Sequence, residues 1–263
     1  MEKREEMDYE NQIKELKEEV DSLKRQLAIT ASLKYHLMPD AYPFFSDIPE
    51  IDIYADQISL AKVGGDFFDF FRIDQDHIGI VVADIFDGGD AAALYMIAFK
   101  LYLMAELSTG FTPAELIETV NNRLASTNES NLCLSAWFGV YELSTGKITA
   151  VNAGHESPIL ATSNGIHDYE SEKVSYLMAV IENMTYESYE IHMEPGDALL
   201  LYTDGAIQAG FSREKMGDVL RQNSDLNAEE IVGSLQDAML EMIGNNKLTD
   251  DATFLCFRRE VTV

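Results

Sequence analysis

An α+β fold is what this sequence predicts, and three observations predict it. Strand-like segments follow one another in runs, and helix-like segments cluster instead of alternating with them. Of the 263 residues, 46% are apolar and 10% aromatic, enough to bury one large core. That composition excludes collagen-like, low-complexity and disordered chains.

The elements follow in order. Residues 5 to 30 contain no Pro or Gly and read as one helix. Tyr9, Ile13, Leu16, Val20, Leu23 and Leu27 are spaced 4, 3, 4, 3, 4, with Ile13, Val20 and Leu27 at a and the other three at d. β-Branched residues at two a positions with Leu at d favour a parallel two-stranded coiled coil. A homodimer with those six side chains as its interface is therefore expected; the alternative is a helix packed on its own domain. Pro39, Pro43 and Pro49 end the helix, giving a coiled-coil linker over 1–38 and a globular domain over 39–263.

Within the domain, 51–57 (IDIYADQ) and 77–85 (HIGIVVADI) read as strands. The Ala-rich apolar run 90–107 reads as a buried helix, and Pro113 opens a second helix to about Ser126. Residues 132–143 and 147–154 flank the turn Ser144-Thr145-Gly146 as a hairpin. Strands are expected at 157–162, 186–193 and 197–202, the last two parted by Pro195-Gly196. Helices at 213–223 and 227–243 and a final strand at 252–259 complete the reading.

Lys plus Arg number 19 and Asp plus Glu 46, a net charge of −27. Such a surface repels nucleic-acid phosphates and anionic lipid, so no nucleic-acid partner is expected. No run approaches the ~18 apolar residues of a membrane helix, and the N-terminal MEKREEMDYE has no apolar signal core. A cytoplasmic protein without direct membrane insertion is expected. Cys133 and Cys256 lie far apart, outside any CxxC or Cys/His cluster. They read as buried free thiols of a reducing compartment, with no zinc site.

Acidic residues also gather in motifs. Val63-Gly64-Gly65-Asp66, Ala83-Asp84-Ile85, Tyr202-Thr203-Asp204-Gly205 and Thr249-Asp250-Asp251-Ala252 each place Asp at a strand end or the turn after it. Any one of them alone reads equally as a turn-capping Asp. Strand ends of a sheet can converge on one cleft, and carboxylates crowded there raise one another's pKa unless a cation balances them. Oxygen ligands without Cys or clustered His suit Mg²⁺ or Mn²⁺.

Five stretches in this order, VGGDFFDFF (63–71), ADIFDGGDAAALYM (83–96), AWFGVYELSTGKITAVNAGHESPIL (136–160), EPGDALLLYTDGAIQAG (194–210) and LTDDATFLCFR (248–258), resemble the metal-dependent protein phosphatases of the 2C type, in their bacterial SpoIIE/RsbU branch. The resemblance spans about 33 to 259 and implies a β-sandwich of two antiparallel sheets flanked by helices on both sides. It implies two Mn²⁺ or Mg²⁺ ions and a bridging water that attacks phosphoserine or phosphothreonine. By motif match, Asp84 bridges both ions and the Ile85 carbonyl completes one. Asp204 and Asp250 ligate the first ion, and Asp66 faces the second, directly or through water. Asp251 is a ligand or stands just behind one. Asp84, Asp204 and Asp250 are thus the expected catalytic residues. The branch implies a phosphorylated STAS-type anti-sigma factor antagonist as substrate, in a partner-switching pathway. It also implies an N-terminal sensor domain, which this chain does not carry; residues 5–38 resemble the linker, passing dimer geometry to the helices at 90–125.

The chain departs from the pattern after Ile85, where Phe86-Asp87-Gly88-Gly89-Asp90 lacks the usual basic residue and adds two carboxylates. Leu177-Met178-Ala179 also replaces a Pro-Leu-Gly-like stretch. A pseudophosphatase-like dimeric binding module is the alternative that Asp87 and Asp90 favour. A third reading, hydrolysis of a small phosphoester or nucleotide, has no Walker loop or basic clamp behind it. His155 in Asn152-Ala153-Gly154-His155 reads as a hydrogen-bonded structural residue, and Trp137 as core.

Overall fold

The computed structural model describes residues 44–60, 64–86, 89–107, 110–169, 175–244 and 248–261, preceded by 14, 16–22, 25, 26, 28, 29, 32, 33, 36, 38, 39 and 42. Among these, ten strands form two antiparallel five-stranded sheets. The first sheet has the order β1 (Ile51–Ile58), β10 (Ala252–Arg259), β9 (Ala198–Tyr202), β6 (Ile159–Thr162), β7 (Gly165–Asp168). The second has the order β2 (Phe67–Arg72), β3 (His77–Phe86), β4 (Cys133–Glu142), β5 (Lys147–Ala153), β8 (Ser188–His192). Helices α1 (Gly89–Glu106) and α2 (Pro113–Ala125) cover the second sheet. Helices α4 (Arg213–Gln222) and α5 (Ala228–Ile243) cover the first, and a short α3 (Asp204–Gln208) follows β9.

Both faces of each central strand are therefore buried, which explains their unbroken apolar runs. In β10, Leu255 and Phe257 point into the inter-sheet core, while Phe254 and Cys256 join the layer under α4 and α5. β9 repeats the pattern, with Leu199 and Leu201 inward and Leu200 and Tyr202 outward. Trp137 is fully buried and donates from Nε1 to the Tyr189 hydroxyl at 2.6 Å. Two of the four helices expected within the domain open on capping boxes, Thr112 and Glu115 ahead of α2 and Asn227 and Glu230 ahead of α5.

The α+β expectation holds, as does the flanked two-sheet sandwich. Three elements were not expected. β2 was hidden because FFDFFR shows no polar alternation; it is buried on both faces. β7 and α3 are four and five residues long, too short for a periodic signal. Pro158 delays β6 to Ile159. Cys256 is buried, but Cys133 is only half-buried, because it opens β4 at the end of the sheet.

The described residues between 14 and 36 are helical, and Leu16 and Val20 are exposed on them. Tyr9, Ile13, Leu23 and Leu27 lie outside the described residues. No described helix is long and apolar enough to cross a membrane.

Candidate active site

The two sheets bring four chain segments to one end of the sandwich. Asp66 immediately precedes β2, and β2 pairs with β3 so that Phe67 faces Ala83, which sets Asp66 beside Asp84. In the other sheet, β9 and β10 pair Tyr202 with Phe254, which brings Thr203-Asp204 against Asp251-Ala252-Thr253. A hydrogen bond from the Thr203 amide to the Thr253 carbonyl, 3.2 Å long, continues this pairing past the strand end.

Asp66 ties the sheets together. It is 1% exposed, and its Oδ2 accepts from the hydroxyls of Thr203 (2.7 Å) and Thr253 (2.6 Å). Both threonines are fully buried. Thr203 is the N-cap of α3 yet makes no side-chain cap bond, because its hydroxyl is turned to Asp66 instead. Sequence reasoning missed both threonines, although each lies inside a quoted motif, one residue before Asp204 and two after Asp251.

Asp84 lies in β3, two residues from its end, opposite Ser135 of β4. Burial raises its pKa to about 7, helped by the charges of Asp204 and Asp250. Burial also pushes Asp66 well above the usual carboxylate range, reinforced by the charge of Asp84. Asp204 is raised too, chiefly by burial, although Gln208 Nε2 donates to it at 3.0 Å. Asp250 accepts from the Asp251 amide at 2.9 Å, and Gln208 Nε2 stands 3.4 Å from its other oxygen. Asp251 spends Oδ1 on the Leu60 amide at 2.7 Å, while its Oδ2 is buried with no hydrogen-bond partner.

The paired glycines of the first motif are there for close approach. A Cβ on Gly65 would lie 2.6 Å from the Ile85 carbonyl oxygen and 2.9 Å from Asp84 Oδ1. A Cβ on Gly64 would overlap Asp251 Oδ2 at 1.4 Å. Ile85 in turn donates its amide to the Gly65 carbonyl at 3.3 Å. The residues fit a hard divalent cation: every donor is oxygen, two carboxyls are held against ionisation by burial and mutual charge, and one buried carboxyl oxygen lacks a donor. Asp66, Asp84, Ile85, Asp204, Asp250 and Asp251 are thus all at this end of the fold. They do not form a set of three whose ligand atoms all lie within 4.8 Å of one another. Among the described residues, the group whose ligand atoms all lie within 4.8 Å of one another is Asp76, His77 and Glu142, at the opposite ends of β3 and β4.

His155 follows the turn at Gly154, whose φ is +72°. Its backbone is clamped by Asn152, which accepts from the His155 amide at 2.8 Å and donates to its carbonyl at 3.0 Å. Its Nδ1 lies 2.9 Å from the Ser135 hydroxyl. Burial pushes its pKa down to about 4. Asp87 and the side chain of Asp90 lie outside the described residues.

The family model for stage II sporulation protein E (SpoIIE) matches residues 74–260. The chain belongs to the SpoIIE family. It is a metal-dependent protein serine/threonine phosphatase of the SpoIIE/RsbU branch. Phosphoserine phosphatase RsbU of Bacillus subtilis is 23% identical over 244 residues, covering 91% of this chain and 71% of that protein. Protein IcfG of Synechocystis is 25% identical over 285 residues, 95% of this chain but 44% of its own length. The fold is shared with the SiaA-PP2C domain of Pseudomonas aeruginosa at a TM-score of 0.78 and 18% identity, covering 90% of this chain and 97% of that one.

Proposed function

We propose that this SpoIIE-family chain hydrolyses phosphoserine or phosphothreonine on a partner protein by attack of a metal-activated water. The partner we infer is a phosphorylated STAS-type anti-sigma factor antagonist of a bacterial partner-switching pathway. The observation that carries the reading is the convergence of Asp66, Asp84, Asp204, Asp250 and Asp251, from four stretches of chain, on one end of the sandwich. Two Mn²⁺ or Mg²⁺ ions, when bound, supply a water deprotonated near neutral pH and positive charge for the phosphoryl oxygens.

Asp84 would serve both ions, because it lies within reach of the charges of Asp204 and Asp250 and is hydrogen-bonded to Asp66. Asp204 and Asp250, with the Ile85 carbonyl, would hold one ion. Asp66, fixed by two threonine hydroxyls, would face the second, directly or through water. Asp251, with one oxygen on the Leu60 amide, keeps the other for an ion or its water. His155 is neutral near pH 7 and bonded to Ser135, so it shapes the loop instead of protonating a leaving group.

The exposed Leu16 and Val20 support a homodimer through the N-terminal helix, with Tyr9, Ile13, Leu23 and Leu27 completing the seam. In this reading the dimer geometry reaches the site through α1, which begins three residues after Phe86. The free thiols Cys133 and Cys256 suit a cytoplasmic setting. The substrate class is tested by kcat/KM for a phosphorylated STAS-domain protein against nucleoside triphosphates. A preference of at least roughly 100-fold for the phosphoprotein is expected; equal or reversed values contradict it.

A further inference from the structure

Between β7 and β8 the chain runs as a strap, 175–187, along the edge of the active end. It has no regular structure of its own except one antiparallel bridge, Met178 to Leu134. Side chains of α2 and the loop after it nevertheless hold it at many points. Asn121 accepts from the Ala179 amide and donates to the Ile181 carbonyl, each at 2.9 Å. Asn128 donates to the Ala179 carbonyl at 2.8 Å, Asn122 accepts from the Asn183 amide at 2.6 Å, and Glu118 accepts from the Tyr186 amide at 3.0 Å. At its start, Ser175 Oγ accepts from the Gly154 amide at 2.6 Å, beside His155.

Two non-glycine residues of the strap are held in the left-handed region, Ala179 at φ +69° and Asn183 at φ +59°. For Ala179 that conformation costs about 1–2 kcal/mol. What this tethering and strain present to solvent is apolar. Tyr176 is 52% exposed, Val180 52% and Ile181 59%. Large aliphatic side chains at such exposure, on a segment fixed by five side-chain contacts from one helix and its loop, are a surface built for something to land on.

Position says what lands there. Met178 bridges Leu134, and Leu134 pairs with Ile85, so Met178 lies two strand spacings, about 10 Å, from the end of β3 that carries Asp84, with Val180 and Ile181 the next residues but one along the strap. A folded partner burying ~800 Å² on its side covers a disc of about 16 Å radius. Any globular protein whose phosphorylated residue enters the cleft therefore covers the strap.

We propose that the Val180–Ile181 strap is a docking ridge for the phosphoprotein substrate, whose matching face is apolar and lies beside its phosphorylated residue. This rests on the phosphoprotein reading above. The ridge adds affinity only for a substrate large enough to reach it, so it separates protein substrates from small phosphoesters.

The test compares wild type, the double variant Val180→Ser/Ile181→Ser and the control Leu240→Ser, a leucine on α5 that is 45% exposed. Each is assayed with manganese on p-nitrophenyl phosphate and on a phosphorylated STAS-domain protein. In the double variant, kcat/KM on the phosphoprotein is expected to fall about 10- to 100-fold, through KM. Its p-nitrophenyl phosphate turnover should stay within about twofold of wild type. An equal loss on both substrates makes the strap a structural brace and overturns the proposal. An unchanged KM on the phosphoprotein overturns it as well. Wild type that cleaves p-nitrophenyl phosphate but not the phosphoprotein removes the partner class the ridge needs. Wild type inert on both is a failure of the phosphatase reading itself.

Discussion

At the scale of single residues, the cleft trades stability for chemistry. Asp84 titrates near 7 in the folded protein, against 3.8 for an ordinary Asp. Between those values the folded state keeps a proton that the unfolded chain has lost. The contribution of this proton to the stability of the metal-free protein is therefore fully present below about pH 4 and is lost as pH rises through about 7. Thermal unfolding in EDTA should give a Tm that falls from pH 5 to pH 8, and the fall should shrink in Asp84→Asn. The same variant should be more stable than wild type without metal, on the order of 1–3 kcal/mol in denaturant titration, because it removes a buried repelling charge. A second prediction concerns Gly65, whose Cβ would sit 2.6 Å from the Ile85 carbonyl and 2.9 Å from Asp84 Oδ1. Gly65→Ala should weaken manganese binding at least about tenfold by calorimetry, since these backbone and carboxylate oxygens must move. Unchanged affinity would mean that Ile85 and Asp84 do not hold the metal. The aspartates were legible in the sequence because each sits in a short motif at a strand end. Thr203 and Thr253 were not, because their role is to cross from one sheet to the other and satisfy Asp66, a pairing no linear spacing encodes.

At the scale of elements, burial on both faces decides what could be foreseen. β3, β9 and β10 read as strands since their apolar runs end at turns, whereas β2 did not, because FFDFFR places Asp69 among four phenylalanines. The structure shows why that carboxylate is tolerated. Lys100 of α1 meets Asp69 at 2.8 Å, with side-chain exposures of 18% and 7%, pinning the helix to the strand. Burial raises the Asp69 pKa and Lys100 opposes the rise. Removing one member leaves the other desolvated, so Lys100→Met should destabilise the fold by about 2–4 kcal/mol. The double change Asp69→Leu/Lys100→Met should recover most of that in a double-mutant cycle; additive losses would mean that the pair does not interact. In the strap, Ala179→Gly should stabilise by about 0.5–1 kcal/mol by relieving the left-handed strain, read as a shift in denaturant midpoint.

At the scale of the molecule, the sandwich brings carboxylates from two sheets to one end, where burial and neighbouring charges raise the pKa of Asp66 and Asp84. The sequence could place these motifs in order but not in space, since only the pairings β2–β3 and β9–β10 set Asp66 beside Asp84 and Thr203 beside Thr253. The N-terminal seam adds a prediction at this scale. The full chain should sediment as a dimer, deletion of residues 1–32 should give a monomer, and turnover should then lose its dependence on protein concentration; identical kinetics with and without these residues would count against coupling. On the proposed function, the converged aspartates form a metal-dependent phosphatase site. The most direct test is hydrolysis of p-nitrophenyl phosphate by the purified protein with manganese and with EDTA, Asp84→Asn alongside. Turnover with manganese, none in EDTA, and a loss of at least about 10³-fold in the variant are expected. Turnover that survives EDTA, or an Asp84→Asn protein as active as wild type, would contradict it.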